Sequence, residues 1–328
     1  MKALALFSGG LDSILSVCLI KQQGIEVEAV CFTSLFFDAK KAEKASSDLN
    51  IPLLKVDITE KLLPIVKSPP HGFGKGVNPC IDCHILMFKT AKKLMEKRKA
   101  KFLISGEVLG ERPKSQNRKA LKIIDKETEL EGYILRPLTA KNLPPTVPEI
   151  QGWVEREKLL GIKGRSRKVQ FELAKKFGIK DFPPPAGGCL LTDPNFSKRM
   201  KYLISTARLN ENEIELLKIG RHFCLDRGAR LVVGRNKKEN LKIEKLAMPG
   251  DFIIKTKEYP GPTGLFRGIL SYEPLCQAAS IVARYSDAPG NKEVEVSYQR
   301  VQDREEKTIK VKCAKEEEIE NLRIEENV

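Results

Sequence analysis

The 328-residue sequence has no stretch that approaches 18 uninterrupted apolar residues, which leaves it without a candidate membrane-spanning helix. Its N-terminus, MKALALF, runs straight into SGG and lacks the cleavage-like segment of a signal peptide. The expectation is a cytoplasmic protein with no membrane partner. Acidic charge is in short supply, with 43 Asp and Glu against 58 Lys and Arg and a net charge of +15. Such an excess repels itself unless a polyanion meets it. The excess is also uneven. Residues 98–126, 156–176 and 217–245 hold nine, eight and nine Lys/Arg against three, two and three acids, so together they exceed the surplus of the whole chain. A solvated lysine-rich helix face explains one such stretch; three favour nucleic acid as the partner. There is no convincing internal repeat. Without an export segment, eight cysteines argue against a disulfide framework and for metal or redox chemistry at some of them.

Hydrophobic content of 41% is that of a globular protein, and the length suits about two domains. Residues 1–7 read as a short buried strand, followed by a Gly-rich loop, a helix over Asp12–Gln23 and a stop at Gly24. A strand at 26–34, a helix over Lys40–Leu49 and the strand PLLKVDI continue the alternation. A helix over Cys83–Lys97 then leads to a strand at 100–107. The pattern predicts an α/β domain with a parallel sheet covered by helices on both faces. Ligands of such sheets bind beyond the carboxyl ends of the strands, so Ser8–Ser13, Phe32–Ser34 and Gly106–Gln116 are expected to converge on one crevice. Further helices are predicted over Pro148–Leu160 and Lys168–Phe177, and PPPAGG at 183–188 reads as a rigid turn. The domain boundary is expected near residue 200. Beyond it, a helix over 213–227 and the short strands ARLVVGR, DFIIKTK, TGLFRGIL and EVEVSYQRV predict a smaller α+β domain.

The string Ser8-Gly9-Gly10-Leu11-Asp12-Ser13 lies between a strand and a helix. Glycines let backbone N–H groups approach an anion, hydroxyls add donors, and the helix N-terminus adds its dipole. No lysine follows the loop, and neither G-x-x-x-x-G-K-S/T nor G-x-G-x-x-G is present, which excludes a Walker kinase and a dinucleotide-binding dehydrogenase. The competing structural explanation is a tight turn in which Asp12 or Ser13 caps the helix.

SGGLDS resembles the PP-loop motif S-G-G-x-D-S of the ATP pyrophosphatases, enzymes that adenylate a carbonyl oxygen and release pyrophosphate. The resemblance implies an adenine nucleotide alpha hydrolase-like fold in which Ser8, Gly9, Gly10 and Ser13 hold the pyrophosphate portion of ATP. It also implies that Asp12 helps place Mg²⁺ and that backbone around Phe32 meets the adenine. Within that family, ISGEVLGERPKSQ at 104–116 is similar to the T-G-E-x-x-G-Q-x-x-S-Q segment of tRNA 4-thiouridine synthetases. Gly106, Glu107, Gly110, Ser115 and Gln116 match, whereas Glu111 stands in place of the glutamine and Arg112-Pro113 differ too. The second match implies sulfur transfer and assigns Gly106 and Glu107 to the cofactor site.

Asn78-Pro79-Cys80-Ile81-Asp82-Cys83-His84 contains a C-x-x-C that lets two thiolates face one metal centre just before a helix. By itself it is half a zinc site, a redox pair or neither. Cys189, in the proline- and glycine-flanked PPPAGGCLLTD, is the candidate third thiol. Cys18 and Cys31 read as buried structural thiols, and Cys224, Cys276 and Cys313 as inert residues of the second domain; His84 reads as a helix N-terminal residue or a ligand. The set Cys80, Cys83 and Cys189 resembles that of tRNA thiolases that use a [4Fe-4S] cluster, in which three thiolates hold three irons and the fourth is open to hydrosulfide. The alternatives are the persulfide relay of 2-thiouridylases, which needs two distant cysteines and no cluster, and structural zinc.

In the second domain, GRHFCLDRGARLVVGRNKKEN interleaves Arg221, Arg227, Arg230, Arg235, Lys237 and Lys238 with Phe223, which suits phosphate contact with limited base stacking. It resembles the RNA-binding domain of the NFACT family, with VVGRNKKEN and Gly264-Leu265 matching best. Its competing explanation is a small domain with a solvated basic face. Lys114 and Arg112 are further candidates for RNA phosphate.

Taken together the resemblances imply a tRNA sulfurtransferase. A uridine oxygen attacks the α-phosphorus of ATP, sulfur replaces the activated oxygen and AMP leaves, with the loop and Mg²⁺ offsetting charge on the pyrophosphate. The G-E-x-x-G segment leans toward 4-thiouridine, although neither a THUMP region nor a rhodanese extension is evident. The expected partners are tRNA and a sulfur donor, whether free sulfide, a cysteine desulfurase or a sulfur carrier, with a homodimer left open. A catalytically silent RNA-binding quality-control factor is the alternative from another class. An amidotransferase-like ligase would need a glutaminase-like segment, and none is seen.

Overall fold

The computed structural model describes every residue except 183–187, 226–227, 304 and 325–328. The chain divides into two compact units, Met1–Thr192 and Asp193–Val328.

The first unit begins with β1 (Lys2–Leu6), α1 (Leu11–Lys21), β2 (Glu26–Thr33), α2 (Lys40–Asp48), β3 (Leu53–Asp57) and α3 (Thr59–Lys67). It continues with α4 (Cys80–Lys97), β4 (Leu103–Ile104), α5 (Arg118–Glu127), β5 (Ile134–Leu135), α6 (Val147–Ile150) and α7 (Lys168–Lys176). The five strands pair in parallel in the order β3-β2-β1-β4-β5. β1 is central, and its buried Ala3, Leu4 and Ala5 suit a strand covered on both faces. One face packs Ala3, Ala5, Val27, Ala29, Phe102 and Ile104 against Ile14, Val17 and Ile20 of α1; Leu11 and Leu15 of the same helix meet Val108, Leu138, Ile162 and Ala174. The strand order reverses between β1 and β4, so the loops after these two strands flank the switch point at which such folds bind ligands.

The α/β class read from the sequence is the one observed, with local differences. The helix expected over Pro148–Leu160 is a single turn, α6, plus a 3-10 turn at Arg156–Lys158. The amides of Trp153 and Val154 both donate to Pro148 O and turn the chain back, while Val154 and Leu159 enter the core. The strand expected at 100–107 pairs only at Leu103–Ile104 and continues as a loop, and the helix expected from Cys83 starts at Cys80. The PPPAGG turn lies outside the described residues except for Gly188.

The second unit contains α8 (Pro194–Ser205), α9 (Glu211–Leu217), β6 (Arg221–Cys224), β7 (Arg230–Val233), α10 (Lys237–Leu246), β8 (Phe252–Thr256) and β9 (Gly264–Arg267). α11 (Tyr272–Arg284), β10 (Glu293–Arg300), β11 (Lys307–Lys312) and α12 (Glu316–Leu322) complete it. Its six strands form an antiparallel sheet in the order β11-β10-β8-β9-β7-β6, with α11 packed on it, which is the α+β arrangement expected. Residue 200, near which the boundary was expected, lies inside α8. The helix expected over 213–227 ends at Leu217, because Phe223 is drawn into the sheet core and Cys224 pairs with Arg230 in a strand; residues 226 and 227 are not among those described.

A buried ion network ties this unit together. Glu213 on α9 pairs with Arg230 on β7 and, at 3.0 Å, with Arg267 on β9, whose other amino group sits 2.6 Å from Asp251. Removing one partner of a buried pair strands the other charge, at a cost of about 3–5 kcal/mol. Glu213→Ala is therefore expected to lower unfolding free energy by roughly that amount in urea titrations. A loss below about 1 kcal/mol, the range of exposed pairs, would show that the network contributes no more than a surface contact.

Candidate active site at the carboxyl end of the parallel sheet

The loop after β1 is shaped by what glycine permits. Gly9 has φ +71°, and a Cβ there would lie 2.3 Å from the carbonyl of Lys41, so the first turn of α2 closes against the loop backbone. Gly10 is the N-cap of α1 and makes no side-chain cap bond. Asp12 and Ser13 thus do not cap the helix. The Ser13 hydroxyl donates to Gly10 O at 2.8 Å, the Gly10 amide donates to Ser8 Oγ at 3.3 Å, and the two hydroxyl oxygens are 3.5 Å apart. Two hydroxyls beside an uncapped helix N-terminus make an anion-binding arrangement.

Asp12 is held from α7's end of the unit. Arg167 Nη2 donates to Asp12 Oδ2 at 3.0 Å, and Arg167 Nε lies 3.9 Å from Glu111 Oε1. Burial raises the Asp12 pKa above the usual carboxylate value, with Arg167 and the Gln170 amide pulling it back; burial and the charge of Asp12 raise Glu111.

The loop after β4 closes on the first loop. A Cβ at Gly106 would sit 2.7 Å from Ser13 N, so only glycine allows this approach. The next residue, Glu107, is buried with both oxygens engaged, one 2.9 Å from His84 Nδ1 and the other accepting from Arg136 Nε at 2.9 Å. Arg136 also grips Asp125 through both amino groups, at 2.7 and 3.0 Å. Burial opposes ionisation of Glu107, but Arg136 and His84 outweigh it and hold the carboxyl at about 2. Glu107 therefore reaches the crevice through His84 instead of through a free carboxylate. The segment from Gly110 to Gln116 folds into a compact turn, with Gly110 N donating to Gln116 O at 2.7 Å and Ser115 buried.

Cys80 and Cys83 occupy the first turn of α4. The segment carrying Cys189 is tied to two neighbours: Leu190 N donates to Phe36 O at 3.0 Å in the loop after β2, and Val77 N donates to Leu191 O at 3.2 Å just before Cys80. Burial, then the charges of Cys189 and Cys80, push the Cys83 thiol strongly up, and burial pushes Cys189 up to about 11, with Cys80 adding to the rise. Among the described residues, no three His, Cys, Asp or Glu side chains are gathered tightly enough to hold a single metal ion. Cys18 and Cys31 are buried in the core, as expected. Phe32 is buried at the end of β2. Lys114 is turned inward, its ammonium 3.1 Å from His71 O in the loop before Cys80.

In the second unit the candidate RNA residues separate into two groups. Arg230 and Phe223 are buried and belong to the core. Arg221 stacks 4.3 Å over the Tyr285 ring, Arg235 chelates Glu239 across the start of α10, and Lys237 and Lys238 are exposed there. Arg227 lies outside the described residues. The residues that sequence reasoning did not assign to the site are Arg167 and Arg136. Arg167 sits in a basic run that reads as RNA-facing, and nothing in the spacing of Arg136 distinguishes it.

A parallel sheet with SGGLDS at its first strand–helix turn defines a PP-loop domain. Residues 1–143 match the family model described as thiamine biosynthesis protein (ThiI), and residues 220–323 match that of the NFACT protein RNA binding domain. The chain joins a ThiI-family PP-loop domain to an NFACT-type RNA-binding domain. It is 33% identical over 119 residues to a probable tRNA sulfurtransferase of Thermoanaerobacter sp. (strain X514), covering 34% of this chain and 30% of that protein. A probable tRNA sulfurtransferase of Geobacillus kaustophilus (strain HTA426) is 29% identical over 148 residues, 42% of this chain and 35% of the relative. The chain thus spans about a third of the length of the curated relatives it matches. A solved complex of a 4-thiouridine synthetase with RNA and bound ATP is similar at 21% identity and a TM-score of 0.37, over 62% of this chain and 51% of that one.

The low carboxyl pKa of Glu107 has a consequence for acid stability. A carboxylate depressed from 4.5 to about 2 contributes stability that is present above 4.5 and is lost as pH falls toward 2. Glu107→Gln is expected to flatten the fall in unfolding free energy between pH 5 and pH 2, measured by denaturant titration at each pH. Parallel pH profiles for the two proteins would contradict the assignment.

Proposed function

We propose that the protein is an ATP-dependent tRNA uridine sulfurtransferase that replaces a uridine carbonyl oxygen with sulfur, forming 4-thiouridine. The observation that carries this reading is the Val77–Leu191 backbone tie that brings the Cys189 segment against the loop before Cys80, with α4 joined through His84 and Glu107 to the glycine that closes on the PP-loop. Thiol chemistry and an anion site thereby share one end of one sheet. A nucleotide-sensing factor has no need of the thiols.

In this reading Ser8, Gly9, Gly10 and Ser13 hold the pyrophosphate portion of ATP, and backbone near Phe32 meets the adenine. Asp12 would hold Mg²⁺. Its Oδ1 is buried without a partner, and Mg²⁺ is commonly held by one or two carboxylates together with phosphate oxygens, so a site without three protein ligands fits it. Cys80, Cys83 and Cys189 would hold a [4Fe-4S] cluster, to which the missing single-ion site is no obstacle, because each thiolate binds a different iron. The chemistry such a cluster supplies is delivery of sulfide, drawn from free sulfide, a cysteine desulfurase or a sulfur carrier. Gly106 keeps the two loops in contact, and Glu107 orients His84 beside the thiols. Arg221, Arg235, Lys237 and Lys238 grip tRNA phosphates largely without reading sequence. Lys114, through His71 O, steadies the loop that leads into Cys80. The reaction fits a cytoplasmic enzyme, and a homodimer is compatible with it.

The test uses anaerobically purified full-length protein with tRNA, ATP and sulfide. Expected are a brown protein, pyrophosphate and AMP released only when tRNA is present, and 4-thiouridine in the recovered tRNA. Cys80→Ala, Cys83→Ala and Cys189→Ala are each expected to remove colour and thiolation together. A colourless, fully active protein would overturn the cluster in favour of a persulfide relay, and bound ATP that is never cleaved would overturn the enzyme.

A further inference from the structure

We propose that Arg167 is the cation that receives the triphosphate of the bound nucleotide, and that Asp12 and Glu111 store its guanidinium at the mouth of the loop until that charge arrives. The proposal rests on the reading of the PP-loop as an ATP site. A triphosphate brings several negative charges, and the SGGLDS loop carries no lysine to meet them. The guanidinium that reaches the loop is that of Arg167, with one amino group 3.0 Å from Asp12 Oδ2 and Nε 3.9 Å from Glu111 Oε1. Arg112 adds to the positive field at Asp12.

The surroundings are those of a site built for a further polar group. Asp12 Oδ1 and Arg167 Nε are buried without a hydrogen-bond partner among the described residues, and the Gln170 amide, 0% exposed, is turned toward Asp12. A buried polar atom left unsatisfied is costly, so a carboxylate oxygen and a guanidinium nitrogen both in that state at a helix N-terminus mark a place that a ligand completes. Chain geometry explains how they meet. Arg167 is the N-cap of α7 and Gln170 lies one turn along on the same side of the helix, while Ala174 of α7 packs against Leu11 and Leu15 of α1, the helix that carries Asp12.

Glu111 acquires a reason in this arrangement. It stands where the thiouridine synthetase segment has glutamine, and as a second carboxylate it keeps Arg167 near the loop once Asp12 turns to a cation. When the triphosphate enters, the guanidinium exchanges Asp12 for phosphate oxygens, a bond type in which arginine's planar fork is well matched. Asp12 is then released to ligate.

The experiment is equilibrium dialysis of ATP and of AMP on the full chain. Arg167→Ala is expected to weaken ATP about 10- to 100-fold and AMP less than about twofold, with Arg167→Lys restoring part of the ATP affinity. Equal losses for ATP and AMP, or a matching fall in melting temperature, would reduce Arg167 to a structural partner of Asp12 and overturn the proposal. Unchanged ATP affinity in Arg167→Ala would overturn it while leaving the ATP site standing. A wild-type chain that binds neither nucleotide would sink both.

Discussion

Arg136, buried beside the end of β5, donates from Nε to Glu107 and from both amino groups to Asp125, and Glu107 in turn engages His84 at the start of α4. That chain of charges joins three elements that no backbone ladder connects at this depth: the segment after β5, helix α5 and the cysteine-bearing turn of α4. It survives burial because each guanidinium nitrogen finds a carboxylate oxygen; with any partner missing, desolvation would exceed the attraction that remains. Since Glu107 follows Gly106, and Gly106 touches the backbone of Asp12 and Ser13, the same chain also links the first turns of α4 to the SGGLDS loop.

The anion loop and the cysteines differ in how they were built. SGGLDS works through local geometry, with a left-handed Gly9 under α2, an uncapped Gly10 and hydroxyls that fold back on their own turn. Apart from the contact of Gly9 with α2, those are short-range effects, and the sequence displays them. The cysteines depend on long-range ties, Leu190 to Phe36 and Val77 to Leu191, that bring residues over a hundred positions apart into register. From sequence, Cys189 could be nominated from its turn and from the resemblance, but its neighbours could not be derived.

The same division explains what was legible elsewhere. The alternation of apolar strands and helices in residues 1–107 made the parallel sheet readable, because β1 and the second half of β2, Ala29–Phe32, are buried on both faces and so carry apolar runs. The helix expected over 213–227 is shortened because burial of Phe223 outweighs local propensity. Arg230 and Arg167 illustrate the limit of reading charge. Both lie in basic runs, yet one is a core ion-pair partner of Glu213 and the other faces Asp12, since net charge in a window says nothing about which side chain turns inward. Glu107 was assigned to the cofactor site by resemblance, and in the structure it holds His84 and Arg136.

An SGGLDS turn, the cysteines of two segments tied by backbone hydrogen bonding and an NFACT-type RNA-binding domain in one chain are economically accounted for by a reaction that needs all three. Nucleoside mass spectrometry of bulk tRNA tests this most directly, comparing a deletion strain with its parent and with strains complemented by wild-type protein or by Asp12→Asn. The account predicts that 4-thiouridine disappears on deletion and returns with the wild-type chain but not with Asp12→Asn. Identical thionucleoside profiles in the parent and the deletion strain would contradict it.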